Sequence, residues 1–156
     1  MILYHGGADE VTVPDPLHSR RAVDFGAGFY ATPIFEQARK WGEKRKLRCG
    51  RAVVSRYEFD ESAAEDLAVL RFDSYSEQWL DFIVQCRTFA DVSDWDIVCG
   101  GVANDNVFDT LEAFFDGFAT KEQTIGRLRM ATPSMQFCFR SDVALRTLRF
   151  MGSERI

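Results

Sequence analysis

Two stretches near the start of the chain carry residue types that could bind a flat ligand. The first is Leu3-Tyr4-His5-Gly6-Gly7, and the second is DFGAGFYATP, residues 24–33. Glycine lets the backbone adopt φ > 0 or approach a ligand closely, because it has no side chain. The aromatic pair Phe29-Tyr30 follows Gly28 directly. These residues predict a site for a planar substrate, although tight turns that enter strands use similar glycines for steric reasons alone.

Strands are expected to position both stretches. Residues 1–5 predict a short buried strand, so His5 lies where the strand gives way to a loop over residues 8–19. Such a position often faces a cleft, because the sheet fixes the backbone while the loop leaves the edge open. Gly28 to Ala31 predicts the second strand. Thr32-Pro33 then predicts a helix start, with the threonine as N-cap and the proline at the first helical position.

The rest of the chain predicts a mixture of strands and helices. Further strands are expected at 51–59, 67–72, 95–102, 135–140 and 149–151, and further helices at 76–86, 107–118, 120–130 and 142–148. Segment 67–72 is expected to pair with 51–59 as a hairpin or meander partner, and the final residues are expected to be loose. Because the strict βαβα alternation of a parallel sheet is missing, we predict an α+β fold in one domain, residues 1–156.

Charge and composition narrow the classes of function. The formal net charge of −5 and the pI near 5.1 argue against a long phosphate-backbone footprint, which requires a clustered cationic face. Seven basic residues nevertheless fall between Arg39 and Arg51. We interpret this segment first as a solvated helix face, with a local anion-binding patch as the alternative.

The four cysteines predict no metal site. Cys49, Cys86, Cys99 and Cys138 are dispersed, without a C-x-x-C pair or a neighbouring histidine, so zinc is not expected. Several lie in apolar strand-like runs, where cysteine acts as a small hydrophobe. With no signal-type segment and no apolar run near the roughly 20 residues of a membrane span, we expect a cytoplasmic protein without a membrane partner.

The order of the motifs resembles a known superfamily. A strand ending in His-Gly, then Gly-x-Gly-Phe-Tyr-x-Thr, then a late strand with one polar residue in an alternating frame resembles the ADP-ribosyltransferases of the branch that includes diphtheria toxin and the poly(ADP-ribose) polymerases. More narrowly, the chain resembles the bacterial family DUF3990. The stretches that carry this narrower resemblance are Leu3-Tyr4-His5-Gly6, residues 24–32, the helix from Gln37-Ala38 to Trp41, residues 79–83, residues 101–106 and Gln136-Phe137-Cys138-Phe139.

The resemblance implies a fold and a substrate. The fold would be a split β-sheet with flanking helices, and NAD⁺ would be the substrate, bound in a cleft between two small sheets. His5 would hydrogen-bond a ribose hydroxyl, and Gly6 would bring bare backbone up to the nicotinamide carboxamide. Tyr30 would stack on the pyridinium, worth ~1 to 2 kcal/mol when desolvated, with Phe25 or Phe29 as the other wall. The candidate NAD-binding residues are His5, Gly6, Phe25, Gly28, Phe29 and Tyr30.

The remaining catalytic position departs from the superfamily's pattern. In many of these transferases a glutamate on a later strand binds the ribose 2′-hydroxyl and stabilises developing positive charge. The corresponding strand here carries Gln136, which can hold a hydroxyl but has no charge and cannot act as a base. Asp105 could supply a carboxylate, or Asn104-Asp105-Asn106 could be an Asx turn that caps the next helix. The candidate catalytic residues are therefore His5, Tyr30, Gln136 and Asp105.

Three functions follow from this resemblance. The first is a mono-ADP-ribosyltransferase that modifies a macromolecule, similar to toxins of bacterial toxin–antitoxin or phage-defence systems and neutralised by a small antitoxin protein. The acidic surface favours a protein acceptor over nucleic acid. The second is an NAD⁺ glycohydrolase that uses the same cleft with water as the acceptor. The third is a module without catalysis, in which the cleft binds a nucleotide or a partner protein.

Overall fold

The computed structural model describes residues 1–17, 23–103, 105–128 and 134–156, with the backbone alone for 105–108. Within these residues the chain is a mixed α+β structure with two sheets and five helices. The strands are β1 (Ile2–Gly7), β2 (Phe29–Ala31), β3 (Val53–Phe59), β4 (Val69–Arg71), β5 (Ile97–Gly100), β6 (Gln136–Phe139) and β7 (Leu148–Arg155). The helices are α1 (Phe35–Cys49), α2 (Glu77–Arg87), α3 (Asp105–Phe115), α4 (Lys121–Leu128) and α5 (Asp142–Leu145). The predicted α+β class is confirmed.

The strands form a three-stranded sheet in the order β1-β3-β7 and a four-stranded sheet in the order β2-β6-β5-β4. The prediction that β4 pairs with β3 is wrong, because β1 and β7 occupy both edges of β3. Strand β4 instead pairs in parallel with β5. The expectation of a loose C-terminus is also wrong, since β7 is paired with β3 from Leu148 to Arg155.

The two sheets pack face to face on an aromatic core. Its large buried side chains include Leu3, Phe29, Tyr57, Phe137 and Phe139, which come from β1, β2, β3 and β6. A second core lies between the other face of the four-stranded sheet and helices α2, α3 and α4. Strand β6 is therefore buried on both faces, and the predicted alternation holds: Phe137 and Phe139 enter the first core, whereas Cys138 enters the second.

Several predicted helix starts can be compared with the structure. The helices predicted from residues 76 and 120 are present: Ser76 caps α2, accepting a hydrogen bond from the Trp79 backbone N–H, and Thr120 forms a capping box with Gln123 at α4. The predicted cap of α1 is wrong. Thr32 is held in a β-bridge with Tyr4, so the N-cap position falls on Ile34, which has no side-chain acceptor.

Helix α1 lies unusually close to β1. A Cβ atom built on Gly6 would lie 1.8 Å from the Ala38 carbonyl oxygen and 2.8 Å from the Gly42 nitrogen. A Cβ on Gly42 would in turn lie 2.9 Å from Ile156 Cδ1. Glycine at position 6 is thus required by backbone-to-backbone packing, and this packing fixes α1 against the end of β1. No helix among the described residues is long and apolar enough to cross a bilayer.

Replacement of Gly6 by alanine tests this close packing. We expect Gly6→Ala to lower the free energy of unfolding by about 3 kcal/mol, or to prevent folding, because the Ala38 carbonyl cannot move away without displacing α1. Urea unfolding measures the effect. Gly126→Ala in α4 is the matched control: its Cβ meets nothing within 4 Å, so it should raise stability by about 0.5 to 1 kcal/mol. Equal effects of the two substitutions would contradict the packing argument.

Candidate functional site

A cleft of about 600 Å³ opens where the two sheets part. One end of β1 forms its floor, the C-terminal half of α1 forms one wall, and residues of β2 and β6 with the loop before β2 form the other. The lining residues are His5, Gly6, Gly7, Ala8, Asp9, Val11, Val23, Asp24, Tyr30, Trp41, Lys44, Arg45, Arg48, Cys49, Val102 and Gln136. His5 lines this cleft. The prediction that the strand ends at His5 is wrong, because β1 continues to Gly7 and His5 is paired with Ser55 of β3.

The cleft begins at a break in the pairing of β1 with β2. Tyr4 and Thr32 exchange both backbone hydrogen bonds, at 2.8 and 2.9 Å. A regular antiparallel ladder would next pair Gly6 with Tyr30. At that position the Tyr30 carbonyl oxygen instead lies 2.7 Å from His5 Nδ1. The His5 side chain thus replaces the backbone hydrogen bond that a regular ladder would form here, and β1 and β2 separate beyond this point.

This contact determines the tautomer of His5. The Tyr30 carbonyl can only accept, so Nδ1 must carry the proton, and in the neutral ring the lone pair is at Nε2. The imidazole packs on the Phe29 ring with 4.7 Å between ring centroids. A Cβ on Gly7 would lie 3.2 Å from Nε2, which places that nitrogen beside the floor of the cleft. His5 is 8% exposed, and its imidazole is held by the Tyr30 carbonyl on one side and the Phe29 ring on another.

Tyr30 is anchored through its hydroxyl group. The hydroxyl donates to the Gly26 carbonyl at 2.7 Å and accepts from the Phe25 N–H at 3.0 Å. Gly26 has φ of +77°, a conformation that favours glycine, so the loop can turn tightly around the hydroxyl. Burial, with the nearby Cys138 thiol, raises the pKa of Tyr30 well above 10, so the phenol stays protonated at neutral pH. The ring, held at its tip, lines the cleft.

Asp24 connects four separate parts of the chain. Its Oδ1 accepts from Arg87 Nη2 at 2.6 Å, and its Oδ2 accepts from the Ala103 N–H and from Gln136 Nε2, both at 3.0 Å. The Asp24 residue is 9% exposed. A buried carboxylate is tolerated only when it is paired and hydrogen-bonded, and Asp24 has one cationic and two neutral donors.

The orientation of Gln136 follows from its contact with Asp24. An ionised carboxylate only accepts hydrogen bonds, so the amide NH₂ must point at Asp24 and the amide oxygen is the remaining acceptor. Gln136 is 3% exposed and lines the cleft. The preceding residue, Met135, is held from α1, because the Gln37 side chain bonds both its carbonyl, at 2.7 Å, and its N–H, at 3.3 Å.

The structure brings together some of the predicted site residues. His5, Gly6, Tyr30 and Gln136 line one cleft. Phe25 and Phe29 are fully buried in the second and the first core and are not among the lining residues.

The two remaining candidates are Gly28 and Asp105. A Cβ on Gly28 would lie 2.5 Å from Cys138 Sγ, so packing of β2 on β6 accounts for this glycine. Asp105 is the first residue of α3, and its side chain is not described by the structure.

Sequence reasoning missed several residues of the cleft. Asp24 carried no local signal, since its partners lie 63 to 112 positions away. Trp41, Lys44, Arg45 and Arg48 were visible as a helical spacing of three and four residues, which predicts one face of α1. That spacing separates cleft-facing cations from the other basic residues of the helix.

The buried thiols near Tyr30 are structural. Burial raises the pKa of Cys86 and of Cys138 to about 12, so both are protonated and poor nucleophiles at neutral pH. Within the part of the chain that the structure describes, no group of three or more His, Cys, Asp or Glu side chains is arranged to hold a metal ion.

This geometry defines an α+β protein with a ligand-sized cleft between two sheets. Residues 1–150 match the family described as "Protein of unknown function (DUF3990)". The chain therefore belongs to the DUF3990 family, as its motifs predict. Comparisons with curated proteins and with solved structures found no match.

The contribution of the Asp24 contacts can be tested by measuring the free energy of unfolding. Asp24→Ala would leave the Arg87 guanidinium without this carboxylate, and two further donors without their acceptor, so we expect a loss of about 3 kcal/mol in urea unfolding. The control is Glu58→Ala, which removes an exposed ion pair with Arg149 and should cost at most about 1 kcal/mol. Similar losses for both variants would show that Asp24 is no more than a surface acid.

Proposed function

We propose that this protein is a mono-ADP-ribosyltransferase that cleaves NAD⁺ and transfers one ADP-ribose to a macromolecule. The observation that carries the proposal is the position of His5, Tyr30 and Gln136 around one cleft, at the point where the two sheets part. These are the residues to which the motifs assign the ribose, nicotinamide and transition-state contacts. The parting of the sheets also supports a split β-sheet of the ADP-ribosyltransferase type.

The nicotinamide ring would lie against Tyr30. The second wall, expected from Phe25 or Phe29, would instead come from Trp41, because both phenylalanines lie in the cores whereas Trp41 lines the cleft from α1. Aromatic faces attract a cationic pyridinium, and a desolvated pair is worth about 2 kcal/mol. Gly6 and Gly7 would present backbone groups to the carboxamide from the floor.

The reaction would break the bond between C1′ of the ribose and the nicotinamide nitrogen. The bonding electron pair leaves with nicotinamide, and positive charge develops at C1′. His5 Nε2 and the Gln136 amide oxygen would both accept hydrogen bonds from ribose hydroxyls and hold the sugar in place. A nucleophile of the acceptor then attacks C1′ and loses its proton to solvent, because Gln136 cannot take it.

The acceptor, the partner and the alternatives also belong to the proposal. An acidic chain favours a protein acceptor, and the resemblance to toxins favours a small neutralising protein in the same cell. Because the proposed ribose contacts do not depend on which nucleophile attacks C1′, NAD⁺ hydrolysis in the same cleft, with water as the acceptor, is the second candidate. A binding module without turnover is the third.

Loss of His5 tests the assignment. We expect His5→Ala to lower kcat/KM for nicotinamide release by about 100-fold, since the ribose would lose a positioning contact at the reacting carbon. Release is measured with labelled NAD⁺, with and without a cell extract, beside the surface control Val92→Ala. Label on a macromolecule supports transfer, and free ADP-ribose from protein alone supports hydrolysis. Wild-type rates in folded His5→Ala, or NAD⁺ binding without release, would contradict the proposed enzyme.

A charge exchange tests the pairing of Gln136 with Asp24. Gln136→Glu alone should lower activity and stability, because two carboxylates would lie about 3 Å apart where only one can ionise without cost. Adding Asp24→Asn restores a donor and acceptor pair and leaves the negative charge at position 136, beside the developing positive charge. We expect the double variant to release nicotinamide about tenfold faster than Gln136→Glu. Additive effects in this cycle would show that the two positions act separately.

A further inference from the structure

One wall of the cleft carries a row of cations. Trp41, Lys44, Arg45 and Arg48 follow the i, i+3, i+4, i+7 spacing of a single helical face, and all four line the cleft. Other basic residues of α1 have partners elsewhere: Arg39 pairs with Glu36 and Glu43, and Lys46 donates to the Ile156 carbonyl. We call Lys44, Arg45 and Arg48 the cationic face.

The acids of the cleft have cationic partners outside the cleft. Within the described residues, the acids that line the cleft are Asp9 and Asp24. Asp9 is paired with Arg51 and Asp24 with Arg87, and neither arginine is a lining residue. The C-terminal end of α1 contributes only about half a negative charge. Arg45 and Arg48 therefore give this wall a positive local field, which suits an anion.

The position of the face relative to His5 is fixed by packing. The contact of Gly6 with the Ala38 carbonyl holds α1 on β1, and β1 also carries His5. Trp41 lies one turn before Lys44 and Arg45, and Arg48 lies one turn further, so the cations begin about 5.4 Å along the helix from the indole. The order along the wall is an aromatic ring followed by positive charge.

This order matches the order of groups along a dinucleotide. From the proposed position of nicotinamide between Tyr30 and Trp41, the chain of the ligand continues through a ribose to a diphosphate. Arginine binds phosphate oxygens in a bidentate manner, and such charge-assisted bonds are roughly twice as strong as neutral ones. We propose that Lys44, Arg45 and Arg48 bind the diphosphate of the dinucleotide, an inference that rests on the proposed function.

Ligands that differ in their phosphates test this inference. We would measure by calorimetry the affinity of NAD⁺, ADP-ribose and nicotinamide riboside, which carries the ring and ribose without phosphate. The variants are Arg45→Gln, Arg48→Gln and the double substitution, with Lys40→Gln as a charge-matched control on the same helix outside the cleft.

We expect each arginine substitution to weaken NAD⁺ and ADP-ribose about tenfold and to leave nicotinamide riboside and the Lys40→Gln control unchanged. The affinity of the wild type for NAD⁺ should also fall with added salt, and less so in the double variant.

The outcomes separate this inference from the proposed function. Unchanged NAD⁺ and ADP-ribose affinity in the double variant, with nicotinamide release intact, overturns the phosphate site and leaves the enzyme in place. Arginine-dependent binding of ADP-ribose without any nicotinamide release keeps the phosphate site and removes the enzyme. Equal weakening of nicotinamide riboside, or no binding of NAD⁺ or ADP-ribose by the wild type, overturns the inference.

Discussion

The hydrogen bond between the His5 imidazole and the Tyr30 carbonyl is the contact on which the cleft depends. The two sheets share the Tyr4–Thr32 bridge as their join in the described chain, and the next rung is replaced by this side-chain contact. A backbone rung there would continue one sheet across the molecule and close the gap. The imidazole satisfies the carbonyl while allowing the strands to diverge. The same bond selects the tautomer in which the Nε2 of a neutral ring carries the lone pair, so one interaction sets both the strand separation and the chemistry of the imidazole.

Asp24 organises the opposite wall at an energetic cost that its neighbours offset. Burying a carboxylate is expensive unless donors surround it, and here they come from α2, from the segment after β5 and from β6. The arrangement gives rigidity to a loop that would otherwise be held by glycine turns and by the Tyr30 hydroxyl. Because the carboxylate accepts from the Gln136 amide, it also decides which end of that amide meets a ligand. Asp24 therefore contributes both to the stability of the protein and to the geometry of the cleft.

The parts of the structure that sequence could predict are those with local signals. His5 and Tyr30 could be predicted to line a cleft because glycine and aromatic residues flank them within a few positions, and the starts of α2 and α4 could be predicted from similarly local patterns. Gly6 was identified as a site residue, yet the need for glycine there comes from the Ala38 carbonyl, which no local pattern indicates. Likewise, the true neighbour of β4 follows from competition for the edges of β3, which depends on β7 at the far end of the chain.

The pairing of Asp24 with Gln136 gives a physical reason for the missing glutamate. At a separation of 3.0 Å, a carboxylate at position 136 would face the Asp24 carboxylate, which is paired with Arg87. The site thus has room for one negative charge, and Asp24 already supplies it. Under the proposed function, Asp24 would polarise the Gln136 amide and strengthen its oxygen as an acceptor without supplying a base. Under the same proposal, the site would suit an acceptor that brings its own reactive nucleophile, and it would disfavour repeated transfer to weakly acidic hydroxyl groups.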